Sequence, residues 1–131
     1  AVKQLSCIEM DIMRRFNQFL MDLKSIPDGD GTLLDHTTVV LGSNFGNASD
    51  HTCHRLPILV AGGGHEHQQH TKVEEKTPLC NLWLELLHAH NIDGGSFGSS
   101  QQSMRLLGVC GSPIFRCDND ESRCCKLFFR P

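Results

Sequence analysis

Apolar residues recur at helical spacing over the first part of this chain. Leu5, Ile8, Ile12, Phe16, Phe19, Leu20 and Leu23 follow one another at short, mostly three- and four-residue, steps, while Glu9, Asp11, Arg14, Arg15, Gln18 and Lys24 fill most of the other face. This period predicts an amphipathic helix over residues 3–25. Pro27 and the run Asp28-Gly29-Asp30-Gly31 punctuate its end, because proline cannot continue a helix and glycine admits turn conformations. The pattern then changes to two short β-branched runs, Thr37–Leu41 and Pro57–Ala61, with no polar alternation. Strands covered on both faces read this way. Between them lies a polar loop of about fourteen residues rich in Gly, Asn and His, longer than most connections in a compact domain. It follows a strand directly, and in open α/β sheets ligands gather beyond strand ends. A second helix is expected to open with Thr77 as N-cap and Pro78 as its first residue. Leu79, Leu82, Trp83, Leu86 and Leu87 give it an apolar stripe, and Asn91 can take the left-handed conformation that ends helices. A loop rich in Gly and Ser follows, from Gly94 to Ser100.

The order helix, strand, long loop, strand, loop, helix is an α/β pattern. Two strands alone do not make a stable sheet covered on both faces. Their continuous hydrophobicity implies neighbouring strands, read here as parallel-type and supplied from elsewhere. The chain also starts at Ala1, inside the helical pattern. Both observations lead us to expect a piece of a longer protein, inactive and poorly stable when isolated.

Composition narrows the function classes. With 131 residues, 39% hydrophobic and 21% charged, the chain suits one modest globular domain. A net charge of −3 without a Lys/Arg cluster argues against nucleic acid as a partner. No apolar run approaches the roughly 20 residues that span a bilayer, and we expect no signal peptide from this sequence. Seven cysteines are unevenly spread: Cys7, Cys53 and Cys80 are scattered, whereas Cys110, Cys117, Cys124 and Cys125 crowd together, and no C-x-x-C occurs. A zinc ribbon or thioredoxin motif therefore has no support. The Asp28-Gly29-Asp30-Gly31 run does not make a calcium loop, since Val39 stands where an EF-hand needs its twelfth-position Glu. It reads as a turn. Asn47-Ala48-Ser49 matches the N-glycosylation pattern, which we read as coincidence.

Several motifs occur in order: Asp28 to Thr37, then Gly42-Ser43-Asn44-Phe45-Gly46-Asn47-Ala48-Ser49, then His51 and His54 ahead of Leu56 to Gly64, then Thr77 to Leu82 and Ser96 to Ser100. Together they resemble the C-terminal part of a family of bacterial secreted proteins, abundant in planctomycetes, defined by the domain of unknown function numbered fifteen-fifty-two. The resemblance covers residues 4–104. It implies a secreted or periplasmic protein, and it makes a missing N-terminal part of the same protein the first partner. Residues 105–131 depart from the family and form a Cys-rich tail. That tail is either disulfide-bearing or metal-binding, or else a disordered extension or sequence read past a disrupted gene end.

That family is in turn distantly similar to the alkaline-phosphatase and sulfatase superfamily. The implied fold is α/β, a C-terminal fragment of a three-layer sheet with flanking helices. In the shared outline, a strand ends in a metal-binding acidic residue and His, and a later His precedes a strand of the form Pro-x-x-x-x-Gly. Here the later His would be His51, ahead of Pro57 to Gly62, while the acidic residue and His fall on Asn44 and Phe45. Phenylalanine cannot ligate a metal and asparagine offers only a neutral oxygen, so a complete two-metal site is not expected. One divalent metal, zinc or calcium, remains the implied cofactor.

The residues themselves offer Asp50, His51 and His54, a D-H-x-x-H group whose imidazoles and carboxylate suit a transition metal. The alternative is that these side chains cap loop backbone or face solvent. His65, His67 and His70 form a second cluster after the glycine triplet, read as a solvated loop, with His70 alone resembling a recurrent family feature. The candidate metal ligands are therefore His51, Asp50, His54, Asn44 and His70. Gly62 to Gly64 could approach an anion through backbone N–H groups, but they read as a turn after a strand. Two functions stay open. The parent is either a metal-dependent phosphate or sulfate ester hydrolase with a degenerate metal site, or a non-catalytic secreted or cell-surface module that binds polysaccharide or protein.

Overall fold

A computed structural model describes residues 2–65, 67, 71–74 and 76–104, together with the backbone alone of 66, 70, 108–109 and 125–129. Helix α1 spans Val2–Ser25, close to the span that the apolar period predicts. A tight hairpin follows, β1 (Pro27–Asp28) pairing antiparallel with β2 (Gly31–Thr32). Gly29 takes φ 60 at the first central position of its two-residue turn, a place that hairpin turns give to glycine. The Asp-Gly-Asp-Gly run is thus a turn, as its sequence suggests.

The main sheet contains β3 (Thr38–Gly42) and β4 (Ile58–Gly62), each shifted by one residue from its predicted limits. After the turn at Gly62–Gly64 come β5 (His65–Glu66) and β6 (His70–Lys72). Helix α2 spans Cys80–Ala89, and β7 (Gly108–Val109) and β8 (Cys125–Phe129) complete the described elements. The four-stranded sheet has the order β3-β4-β8-β6, and β5 pairs separately with β7.

Two expectations about this sheet change. β3 and β4 run antiparallel, with Thr38 opposite Gly62 and Gly42 opposite Ile58; among the described residues the only parallel pair is β6 with β8. The second edge of β4 is filled from within the chain, because Ile58 to Ala61 pair with Phe128 to Cys125. Continuous apolar runs indicate burial on two faces, which antiparallel strands reach equally when helices cover both sides.

That covering is visible in the core. Ile58 and Val60 of β4 pack with Leu82 of α2, joined by Val40, Leu56, Leu79, Leu86 and Met104. Ala61, one residue on, packs instead with Leu34 and with Leu20 of α1, joined by Phe16, Leu23 and Val39. Successive strand residues point to opposite faces, so α1 and α2 lie on opposite sides of β4, and the architecture is a small mixed α/β fold. All five residues of β4 are buried.

The ends of α2 show one local expectation met and one corrected. Asn91 has φ 57, the Ile92 N–H bonds the Leu87 carbonyl at 2.9 Å, and the Asn91 N–H bonds the His88 carbonyl at 3.0 Å. This is the paired closure of a Schellman motif with asparagine in the left-handed position. Thr77, however, does not cap the helix. The residue before the first helical one is Leu79, without a side-chain cap hydrogen bond. The Asn81 N–H bonds the Pro78 carbonyl at 3.0 Å, so a tight turn on proline precedes the helix and moves its start past the threonine.

Candidate functional site

The loop between β3 and β4 is built by its own backbone and short polar side chains. The Ser43 N–H reaches the Pro57 carbonyl at 3.3 Å, the Gly46 N–H the Thr52 carbonyl at 2.9 Å, and the Thr52 N–H the Asn47 carbonyl at 3.3 Å. The loop therefore continues as a narrow ribbon with a bridge between Asn47 and Thr52. At its tip Asn47 Oδ1 accepts from the Ser49 N–H at 3.0 Å, an Asx turn, while its Nδ2 donates to Asp50 Oδ2 at 2.6 Å. Near its base the Ser43 hydroxyl donates to the Phe45 carbonyl at 2.8 Å. Gly46 is required by proximity, since a Cβ there would fall 1.6 Å from the His54 carbonyl oxygen.

Two non-glycine residues of this loop hold left-handed backbone, His51 with φ 49 and Arg55 with φ 56. Such conformations are disfavoured for residues with a Cβ and persist where surrounding contacts hold them. The His51 ring lies against Phe45, with centroids 5.2 Å apart and planes tilted 57°.

Four of the five candidate ligands, Asn44, Asp50, His51 and His54, share this exposed ribbon. They do not converge. Asp50 is engaged by Asn47 and His51 by Phe45, and among the described residues no group of three or more His, Cys, Asp or Glu is placed to hold a metal ion. The fifth, His70, enters by its backbone in β6, in register with Leu127, which is itself paired with Leu59. His70 therefore lies two strands from β4, about 10 Å by strand spacing, level with the strand ends that carry the loop. Its side chain lies outside the described residues, as do Cys110, Cys117 and Cys124 of the Cys-rich tail.

The sheet register also separates the two histidine groups. His51 and His54 lie beyond the Gly42–Ile58 end of the β3–β4 ladder, whereas His65 follows the turn at the Thr38–Gly62 end. His65 is buried at 6% exposure, with Nε2 3.0 Å from the Thr38 hydroxyl. This contact was not legible in the sequence, because it depends on the turn at Gly62–Gly64 folding back over the start of β3. Gly62, Gly63 and Gly64 all have φ near +70, and the Gly63 N–H is bonded to the Leu34 carbonyl at 2.9 Å. The triplet is a turn, with that N–H used inside the fold.

A second polar group sits beside the β1–β2 hairpin. His36 Nδ1 lies 2.9 Å from Asp28 Oδ2, and its Nε2 is 3.8 Å from Asp30 Oδ1. The hydrogen bond to Asp28 raises the His36 pKa above the ordinary imidazole value, with the charges of Asp28, Asp30 and Asp35 acting in the same direction and desolvation opposing them. Asp35 is held below the usual carboxylate range, chiefly by the Thr32 hydroxyl, which donates to Oδ2 at 2.7 Å. A raised histidine pKa means that protonated His36 favours the folded hairpin. That contribution is complete below the unfolded-state value near 6.5 and is lost as pH rises through the raised folded-state pKa. Following the His36 ring by NMR titration, Asp28→Asn is expected to move the midpoint down toward the ordinary value. An unchanged midpoint would refute the pairing.

Comparison of the chain with family models, curated proteins and solved structures finds no match. Among the described residues, no helix is long and apolar enough to cross a membrane.

Proposed function

We propose that this chain is part of a secreted or periplasmic, hydrolase-like protein of the alkaline-phosphatase and sulfatase type. In this reading its metal site is degenerate, and the ribbon between β3 and β4 is its ligand-binding element. The observation that carries the reading is the left-handed backbone of His51 and Arg55 in a loop bearing four candidate ligands. Non-glycine residues in left-handed backbone cluster at active sites and ligand clamps, and a loop of this length inside a compact domain is usually functional or disordered.

The donor set fits a complete metal site poorly, because Asn44 and Phe45 stand where an acidic residue and a histidine are needed, and among the described residues no three of His, Cys, Asp or Glu are placed to hold a metal ion. A single zinc or calcium ion, if bound, would supply Lewis-acid polarisation of an ester oxygen. The chain's own contribution is to present the His51 imidazole and the His54 ring on a fixed ribbon. Arg55, next to them, supplies a cation suited to the anionic group of a phosphate or sulfate ester.

Binding of phenyl phosphate and phenyl sulfate to the full chain, measured calorimetrically with and without Zn²⁺ or Ca²⁺, tests this. Association in the millimolar range is expected, and His51→Ala should weaken it at least roughly tenfold, about 1.4 kcal/mol. No association with either ester, or equal association by the variant, sinks the reading. A second reading rests on Phe45, 41% exposed beside His51. It makes the same ribbon an aromatic platform for a sugar ring, and retention on polysaccharide that Phe45→Ala abolishes, without ester binding, would select it.

A further inference from the structure

Helix α1 is only partly used by the fold. Its C-terminal half contributes Leu20 to the core, with Phe16 and Leu23 packed alongside. Residues 2–15 are exposed all round. Leu5 is 56%, Ile8 58%, Ile12 50% and Phe19 48% exposed. At 100° per residue these four fall within one narrow sector of the helix, beside the sector that Phe16, Leu20 and Leu23 turn toward the sheet. An apolar stripe of about four turns is thus left uncovered on a 24-residue helix.

The polar residues bordering the stripe suggest what covers it. Along the edge away from the sheet, the residues are Gln4, Asp11, Arg15 and Asp22. In an antiparallel pair of identical helices the same edge of each copy faces the other, and within each row the positions that meet have numbers of constant sum, two larger along this flanking edge than in the apolar seam. With the two-fold axis beside Ile12 and Met13, Asp11 of one copy meets Arg15 of the other, and Gln4 meets Asp22. The same arrangement sets Leu5 against Phe19, Ile8 against Phe16 and Ile12 against its own symmetry mate. Both the apolar stripe and its charged border are then self-complementary, which an isologous interface requires. A parallel pair would instead bring both sheets to one end and set this edge against the opposite one, losing the Asp11–Arg15 match.

We infer that a second copy of this chain covers the stripe, as an antiparallel α1–α1 pair. Within one chain Arg15 Nε bonds Asp11 Oδ2 at 2.9 Å, with both side chains largely exposed. An exposed pair of this kind is weak, so exchanging it for two bonds across the axis meets little resistance. The inference is independent of the ester-binding reading, because α1 contributes no residue to the β3–β4 ribbon.

Sedimentation equilibrium of the full chain tests the inference. A concentration-dependent dimer is expected, and Ile12→Glu, which sets two carboxylates together at the axis, should raise its dissociation constant at least roughly a hundredfold. Circular dichroism verifies that this variant, altered at an exposed position, stays folded. Asp11→Arg and Arg15→Asp should each weaken self-association, while an equimolar mixture of the two variants should form a heterodimer, since both contacts between positions 11 and 15 are then oppositely charged. A monomeric chain at 100 µM, a dimer indifferent to Ile12→Glu, or a mixture that pairs no better than its components would overturn the proposal.

Discussion

Replacing Gly62 with alanine is expected to destabilise the fold by about 3 kcal/mol or more. Two causes coincide. Gly62 has φ +71, which disfavours any L-residue with a Cβ, and the added atom would sit 2.3 Å from the Thr37 carbonyl oxygen and 2.5 Å from that of Leu34. Neither oxygen can move freely. Thr37 leads directly into β3, and the Leu34 carbonyl accepts the Gly63 N–H while its side chain is buried against Leu20 and Ala61. The neighbours separate the two causes. Gly64 shares the left-handed backbone at φ +64 but meets only the Asp35 carbonyl oxygen at 3.6 Å, an ordinary contact, and Gly95 has neither feature. Gly64→Ala should therefore show the conformational cost alone, about 1 kcal/mol, and Gly95→Ala should stay within about 0.5 kcal/mol of the parent. Urea unfolding of the three variants gives the order directly. Equal losses at Gly62 and Gly64 would mean that the close approach to Thr37 and Leu34 is wrong.

The second large effect is expected at Leu82. This side chain is 2% exposed and lies between α2 and the face of β4 formed by Ile58 and Val60. Truncation removes buried methyl groups and leaves a cavity whose walls belong to a strand paired on both edges, so collapse is limited. Leu82→Ala should lower stability by about 3 kcal/mol, within the usual range for a buried leucine. Leu5→Ala removes the same atoms from a position 56% exposed. At a concentration low enough to keep the chain monomeric, it should change unfolding by no more than a few tenths of a kcal/mol. A loss at Leu82 as small as that at Leu5 would show that α2 does not pack on this face.

Helix periodicity in the sequence carried α1 nearly to the residue, because a 3.6-residue repeat sustained over 24 residues has few other solutions. The two central strands and the Asn91 helix end were also legible, each being set by local chemistry. Strand direction was not. A run such as Ile58-Leu59-Val60-Ala61 records only that both faces are buried, and buried strands look alike whether their neighbours are parallel or antiparallel. The neighbour supplied by Cys125–Phe129 was hidden for a related reason, since pairing with β4 depends on backbone groups that carry no residue signature. At the candidate site, the loop's length and its histidines were visible in advance. The Asx turn at Asn47, the approach of Gly46 to His54 and the stacking of His51 on Phe45 were not, because each depends on how the ribbon closes on itself.

The pairing of β4 sets an order of events as the chain folds. Its contacts with β3 close a loop of roughly twenty residues, and those with β8 a loop of roughly seventy, as between Ile58 and Phe128. Chain-closure entropy favours the nearer partner, and long-range strand pairing is the slower step. The β3–β4 hairpin can therefore gather α1 and α2 on its two faces while one side of β4 still displays free backbone N–H and carbonyl groups. Until β8 arrives, this is an open template for any extended segment, including one from another chain. A strand whose five residues all end up buried is thus, during folding, an adhesive surface.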